Sequence, residues 1–134
     1  MTQVEGKGGY ELRAFANTTE LKKFMPWKTF REYIKTKERK HITARGIIPD
    51  DSSDRSFIKD THAGIKSVYQ PTARYIPKGI FPFKGEIIIY QDSRVQFVKF
   101  DEVHPIAVII EDKIIHDMMQ MVFELAWVGA KNNK

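Results

Sequence analysis

The chain has 134 residues, of which 42% are hydrophobic and 29% are charged, and it carries a net charge of +5. This length suits one domain with a substantial core, and the composition is that of an ordinary soluble globular protein. The absence of cysteine excludes disulfides, thiolate metal sites and a cysteine nucleophile. No apolar run is long enough for a membrane span, and the N-terminus lacks the apolar region of a signal peptide. We therefore expect a cytoplasmic protein without a membrane segment.

The first third of the chain reads as one strand followed by two helices. We interpret residues 1–9 as a flexible polar lead and residues 10–16 as the first strand. Asn17 is a helix-capping residue, and the helix that follows it is interrupted at Pro26. A second, amphipathic helix is predicted from there to about Arg39.

The middle of the chain returns to strand patterns. Residues 42–48 form the second predicted strand, and the acidic cluster Asp50-Asp51-Ser52-Ser53-Asp54 is predicted to cap a short helix. Residues 68–76 are predicted to be extended, with Pro71 making them irregular or placing them at a sheet edge. Residues 76–85 form a stiff aromatic loop.

The last third of the chain predicts a hairpin, a further strand and a closing helix. Residues 86–90 and 95–100 are strand-like and flank the polar turn at 91–94. Residues 106–110 form another strand, and an apolar helix ends near Ala130. The fold class is therefore α/β (α+β): one domain over residues 10–130, with a mixed sheet flanked by helices.

We predict neither a metal site nor a cofactor. Asp50, Asp51 and Asp54 are spaced unlike a calcium-binding loop, so helix capping explains them better than a cation site. The histidines lack the spacing of a zinc site; they are His41, His62, His104 and His116. The basic run at 35–41 stands beside a predicted helix end, where cations are favoured, and a weak contribution to DNA binding is the alternative.

The chain resembles the phospholipase-D-like domain of TrmB-type transcriptional regulators of bacteria and archaea. The likeness covers roughly residues 10–130, and it is strongest after Arg74. The residues that carry it are Arg74, Ile76, Pro77, Phe81, Pro82, Phe83, Glu86, Ile87, Ile88, Ile89, Tyr90, Asp92, Val108, Ile109, Ile110, Glu111, Phe123, Glu124, Leu125, Ala126 and Trp127. The resemblance implies a single phospholipase-D-like domain.

The catalytic motif of phospholipase D enzymes is missing at the position that the resemblance implies. Those enzymes place His-x-Lys-x4-Asp on this hairpin, where the histidine attacks phosphorus and the lysine stabilises the developing charge. With Asp92 as the aspartate, the histidine position falls on Gly85 and the lysine position on Ile87. Neither residue can do this chemistry, so we expect a protein that is not an enzyme.

Two sets of residues are the candidate sites. The polar groups nearest the equivalent of the active site are the candidate ligand-binding residues: Arg74, Lys84, Glu86, Tyr90 and Asp92. An anionic effector could bind Arg74, although an internal ion pair between Arg74 and Glu86 is the favoured interpretation. Phe81 and Phe83 would wall a pocket or fill the core.

The closing helix supplies the candidate dimer interface. Its polar residues fall on one narrow face, and apolar residues with three methionines occupy the rest. This arc is wider than packing on one sheet face requires, which favours a homodimer contact over the alternative of a helix buried in its own domain. The candidate interface residues are Met118, Met119, Val122, Phe123 and Trp127.

The functional hypothesis is a non-catalytic effector-binding and dimerisation domain of a TrmB-like regulator. TrmB-type regulators normally carry a helix-turn-helix ahead of the domain that this chain resembles, whereas about nine residues precede the first predicted strand here. We expect a fragment of a regulator or a stand-alone sensor domain, with DNA bound only through a missing or separate domain. The alternatives are a degenerate phosphodiesterase or nuclease, which would need Asp92 or His104, and a basic module that binds nucleic acid non-specifically.

Overall fold

The computed structural model describes residues 8–132, and they form a mixed seven-stranded sheet with helices on both faces. The helices are α1 (Thr18–Phe24), α2 (Trp27–Arg39), α3 (Ser52–Thr61) and α4 (Lys113–Gly129), with a short 3₁₀ helix at Ser67–Tyr69. The strands are β1 (Glu11–Phe15), β2 (Thr43–Pro49), β3 (Thr72–Ile76), β4 (Gly85–Tyr90), β5 (Arg94–Lys99), β6 (Ile106–Glu111) and β7 (Lys131–Asn132).

The sheet joins a parallel half to an antiparallel half, in the strand order β6-β5-β4-β1-β2-β3-β7. Strands β1, β2 and β3 are parallel neighbours, connected by helices. Strands β4, β5 and β6 form an antiparallel meander that joins the other side of β1. Among the described strands, β6 therefore lies at the edge of the sheet and is hydrogen bonded only to β5.

Local sequence signals explain where the first helices begin. The Asn17 side chain accepts a hydrogen bond from the backbone N–H of Glu20, which caps α1. Pro26 stands at the N-cap of α2, where its missing N–H costs nothing. The apolar residues Phe30, Tyr33 and Ile34 lie on one face of α2 and are buried against the sheet.

Each face of the sheet carries its own core because strand side chains alternate between faces. Helices α1 to α3 cover one face, where Ile34, Ile42 and Tyr90 are buried. Of the helices in residues 8–132, α4 alone covers the other face, where Phe123 packs with Ile89. One helix cannot cover seven strands, so part of the second face stays open.

The predicted mixed sheet flanked by helices is confirmed, and most predicted elements lie where their patterns placed them. The segment predicted to be extended from residue 68 begins instead with the 3₁₀ helix Ser67–Tyr69. Lys131–Asn132, part of the polar tail predicted for residues 131–134, pairs with β3. The predicted lead at residues 1–9 lies mostly outside the described residues, as does the end of that tail.

Candidate functional site

The five predicted ligand-binding residues do not converge on one site. Lys84 is exposed just before β4, whereas Tyr90 is fully buried at the other end of that strand. Asp92 is exposed in the turn that follows. A six-residue strand spans about 20 Å, so Lys84 and Asp92 lie too far apart to hold one small molecule.

The favoured ion pair between Arg74 and Glu86 is wrong. Arg74 is on β3 and Glu86 is on β4, and strands β1 and β2 lie between them. The Arg74 guanidinium instead stacks on the Trp127 ring, 4.4 Å from its centroid, and donates a 2.6 Å hydrogen bond to the Trp127 carbonyl oxygen. Arg74 thus anchors the end of α4 on the sheet.

Glu86 is buried, and its one hydrogen-bond partner among the described residues is Asn17, the N-cap of α1. One carboxylate oxygen accepts a 3.0 Å hydrogen bond from the backbone N–H of Asn17. The Asn17 side chain also donates to the carbonyl oxygen of Phe83 at 2.8 Å, which ties the start of β4 to α1. Burial raises the pKa of Glu86 from 4.5 to about 7, although the Asn17 hydrogen bond opposes this shift.

The hairpin positions aligned with the phospholipase D motif are closed by packing. A Cβ atom added to Gly85 would lie 2.8 Å from the backbone oxygen of Val98, so a histidine there would displace the neighbouring strand. Ile87 pairs with Phe97 across the hairpin and packs against the core beneath α4. The backbone around these positions is therefore built for apolar contacts.

Helix α4 turns polar side chains toward the sheet, where two arginines of the parallel strands meet them. Arg13 and Arg45 are register partners on β1 and β2. Buried Arg13 donates to Nε2 of His116 at 3.2 Å, and Arg45 forms ion pairs with Glu124 and with Glu11. A guanidinium only donates hydrogen bonds, so Nε2 of His116 is the acceptor.

The remaining contacts of this polar layer fix the orientation of the helix. Nδ1 of His116 carries the proton and donates to Asp117 at 3.0 Å, since Nε2 must accept. Hydrogen bonds from His116 and Lys113 lower the pKa of Asp117. The Arg45 guanidinium lies 5.1 Å from the centroids of both the Phe123 and the Trp127 rings. Arg13 and Arg45 were not predicted as functional residues from the sequence. The alternation of side chains along β1 and β2 was the signal that places both arginines on the same face of the sheet.

We expect His116→Ala to lower the free energy of unfolding by about 2 kcal/mol, because it removes a hydrogen-bond acceptor from the buried Arg13 cation. The Nε of Arg13 already has no hydrogen-bond partner in the part of the chain that is described. The measurement is urea unfolding of His116→Ala, Arg13→Met and the double variant. A coupling free energy near zero in this cycle would contradict the interaction.

The outer face of α4 is apolar and exposed. Five residues follow one another at alternating spacings of four and three, the heptad pattern of helices that pack against each other. We call them the α4 seam: Ile114, Met118, Met121, Leu125 and Val128, with between 56% and 81% of their surfaces exposed. Ile115 and Val122 flank the seam, and the edge strand β6 adds exposed apolar residues beside it.

The structure divides the five predicted interface residues between two faces of α4. Met118 and Val122 are exposed at or beside the seam. Phe123 is fully buried in the core of its own chain, edge-on to Phe15 with ring centroids 5.5 Å apart, and it cannot reach a partner. Met119 and Trp127 pack against the same core. Helical periodicity alone does not say which of two apolar faces meets the sheet.

The acidic cluster is engaged in ion pairs with neighbouring cations. Buried Asp54 pairs with Lys22 of α1 at 2.8 Å and accepts a hydrogen bond from Thr19. The other two pairs link Asp51 to Lys78 and Asp50 to Arg55. Within residues 8–132, no three His, Cys, Asp or Glu side chains are grouped as a metal site would require.

The basic run at residues 35–41 lies at the C-terminal end of α2. Lys37 lies over the Tyr33 ring, 4.9 Å from its centroid, and burial lowers its pKa to about 8. Lys35 pairs with Glu32 at 3.6 Å. Two lysines of the basic run therefore make contacts within their own chain.

Comparison with known proteins assigns no family to the chain. No protein-family model, no curated protein and no solved structure matches it. The phospholipase-D-like resemblance therefore stays a prediction from the residues that carry it. Among the described helices, none has the length and apolarity that a bilayer crossing needs.

Proposed function

We propose that this chain is a non-catalytic homodimerisation domain, and that the α4 seam is the contact between its two copies. The observation that carries the proposal is the orientation of α4. The helix sends His116, Gln120 and Glu124 toward the sheet and leaves a heptad row of large apolar residues in solvent. An exposed apolar row of this size is typical of a surface that another surface covers.

A second copy of the chain is the occupant that fits this face. The exposed charges of the helix, Lys113 and Asp117, pair with each other at 3.2 Å, so the seam carries no free charge pattern that would select a different partner. Two seams related by a two-fold axis present the same apolar row to each other. Together with β6, the seam residues can supply on the order of the 800 Å² per partner that a stable interface buries.

The edge strand β6 extends the same surface. Among the described strands, only β5 neighbours β6. Val108 pairs with Phe97, which packs in the core beneath α4, so Val108 and Ile106 are exposed on the α4 face of the sheet, whereas exposed Ile109 points to the opposite face. An open apolar edge is an aggregation hazard unless it is covered. Pairing of two copies through α4 would shield this edge as well.

The non-catalytic part of the proposal is supported by the hairpin. Gly85 has no room for a side chain, and Ile87 is committed to the core. The hairpin therefore lacks the histidine and lysine that carry out phosphoryl transfer in the phospholipase D motif. The alternative of a degenerate phosphodiesterase would be favoured by turnover of bis-p-nitrophenyl phosphate that is lost on changing Asp92 or His104.

The regulatory part of the proposal follows from the resemblance to TrmB-type regulators. In that role the domain pairs two chains in the cytoplasm, binds an effector and sets the spacing of DNA-binding units supplied by a separate domain. A basic module that binds nucleic acid directly is the alternative. Salt-dependent binding of this domain to DNA would favour that alternative.

We expect the purified chain to be a dimer at micromolar concentration, because covering the seam removes a large apolar area from water. Sedimentation equilibrium over a hundredfold range of concentration measures the monomer–dimer constant. A chain that stays monomeric across the whole range would contradict the proposal. Higher oligomers that grow with concentration would contradict a closed two-fold contact.

A further inference from the structure

A cleft of about 580 Å³ opens on the α4 face of the sheet, beyond the part that the helix covers. Its floor contains Phe15, Ile47 and Ile76, which stand at or near the carboxyl ends of β1, β2 and β3. The chain passes from β3 at one side of β1 to β4 at its other side, so strand order reverses here. In α/β sheets, ligands bind at such carboxyl ends beside a reversal of strand order.

The loop between β3 and β4 forms one wall of the cleft, and α4 forms another. Ile80, Phe81 and Phe83 line the cleft from the loop, and Ala126 lines it from the helix. Ile80 is 67% exposed and Phe83 is 69% exposed, although both side chains are large and apolar. A ligand in the cleft would cover part of that apolar surface.

The loop is held in place by contacts at both ends, so the cleft is largely preformed. Lys78 forms an ion pair with Asp51 at the start of α3. Asn17 donates to the Phe83 carbonyl oxygen at 2.8 Å. A preformed wall lowers the entropy that binding must overcome.

The lining of the cleft offers no counter-charge to a charged ligand. No cation lines the cleft in the described chain, and the single ionisable residue of the lining is Glu86. Strand alternation puts the Glu86 side chain on the face of Ile88, where it accepts the Asn17 hydrogen bond, away from the α4 face. An anionic group in the cleft would lose its water without gaining a counter-charge.

We infer that this cleft binds a neutral, largely apolar small molecule, such as an aromatic or branched aliphatic compound. Its volume lies within the range of small-molecule sites, roughly 300–1,000 Å³. The site deepens the proposed function by naming the chemical class of the effector. Helix α4 connects the two sites, because Ala126 lines the cleft on the inner face of the helix and its neighbour Leu125 lies on the seam. Only this connection between ligand binding and dimerisation rests on the proposed function.

The test is fluorescence titration of the full chain with two probes that share one aromatic framework. N-phenylnaphthylamine is neutral, and anilinonaphthalene sulfonate carries an added anionic group. We expect the neutral probe to saturate at one molecule per chain and to bind at least about tenfold more tightly than the anionic probe. Equal affinities for the two probes would overturn the neutral, apolar assignment.

Two variants locate the bound probe. Ala126→Phe fills the cleft from the helix and should weaken binding of the neutral probe at least about tenfold. Ile80→Ser removes an exposed part of the wall and should weaken it roughly fivefold, while the exposed position leaves folding intact. Val68→Ser, at an equally exposed apolar residue away from the cleft, is the matched control.

A third variant separates this site from the seam. Met121→Lys should leave the affinity of the neutral probe within about twofold, because Met121 does not line the cleft. Loss of the probe in Met121→Lys, or full binding by both Ile80→Ser and Ala126→Phe, would overturn the inference. A monomeric chain that still binds the neutral probe with these dependences would refute the dimer and leave the ligand site standing.

Discussion

Met121→Lys and Leu125→Lys should each weaken dimerisation about 10³-fold and convert the chain to a monomer at micromolar concentration. Met121 and Leu125 lie at the middle of the seam and expose 56% and 69% of their surfaces in the single chain. A two-fold contact contains each substitution twice. Burial of two unpaired ammonium groups at about 2 kcal/mol each gives about 4 kcal/mol, or about three powers of ten.

Because Met121 and Leu125 are exposed in the single chain, these substitutions should change association and not the folding of the monomer. A lysine at a solvent-exposed position changes the free energy of unfolding of one chain by no more than about 0.5 kcal/mol. Val68→Lys adds the same charge to a residue that is 63% exposed outside the seam, so it controls for net charge. Sedimentation equilibrium of all three variants measures whether the seam is the dimer contact. A dimer that survives Met121→Lys and Leu125→Lys must use another surface.

Glu86→Gln should raise the free energy of unfolding by up to about 3 kcal/mol at pH 8 relative to the native chain. The pKa of Glu86 is about 7 in the folded chain and 4.5 in its ordinary state, and burial is the main cause. The unfolded chain therefore releases this proton before the folded chain does. Stability from Glu86 is fully present below pH 4.5 and is lost as the pH rises through about 7.

The glutamine variant keeps the polar atom and removes the charge. Its side-chain oxygen can accept the hydrogen bond from the backbone N–H of Asn17, as the carboxylate does. Urea unfolding of both proteins between pH 4 and pH 8 should show a difference that opens with increasing pH. Exposed Glu102→Gln is the matched control. A difference that is constant with pH would show that Glu86 titrates as an exposed carboxylate.

Comparison of the native chain with Glu86→Gln also separates the contributions of Glu86 and His62 to the pH dependence of stability. Burial, followed by the neighbouring Lys37 and Arg31 charges, lowers the pKa of His62 to about 4 against a backbone hydrogen bond that opposes the shift. The unfolded chain binds this proton first as the pH falls, so stability from His62 rises with pH between about 4 and 6.5. The opposite slopes partly cancel in the native chain, and Glu86→Gln should reveal the rising slope.

Much of the fold was predictable because it follows from short-range patterns. The hairpin around residues 91–94, the break at Pro26 and the long final helix each rest on residue types within a few positions. The 3₁₀ turn at Ser67–Tyr69 was missed because a three-residue turn has no periodicity to detect. The pairing of Lys131–Asn132 with β3 was missed because it depends on where α4 ends over the sheet.

The candidate site was less predictable, because it depends on which faces meet. The predicted ligand residues were close in sequence around β4, but a strand separates its two ends by many ångströms. The cleft instead joins Phe15, Ile47, Ile76 and Ala126, which are distant along the chain. Only the strand order brings their side chains together.

The sequence by itself determined the elements of this protein, the empty motif positions at Gly85 and Ile87, and the excess of apolar surface on the last helix. Tertiary structure decided which side of that helix faces water. Arg13 and Arg45 stand on neighbouring strands and require polar partners beneath α4, and the helix turns His116 and Glu124 toward them. A buried charge without partners costs more than an exposed apolar row, so the seam is left outside.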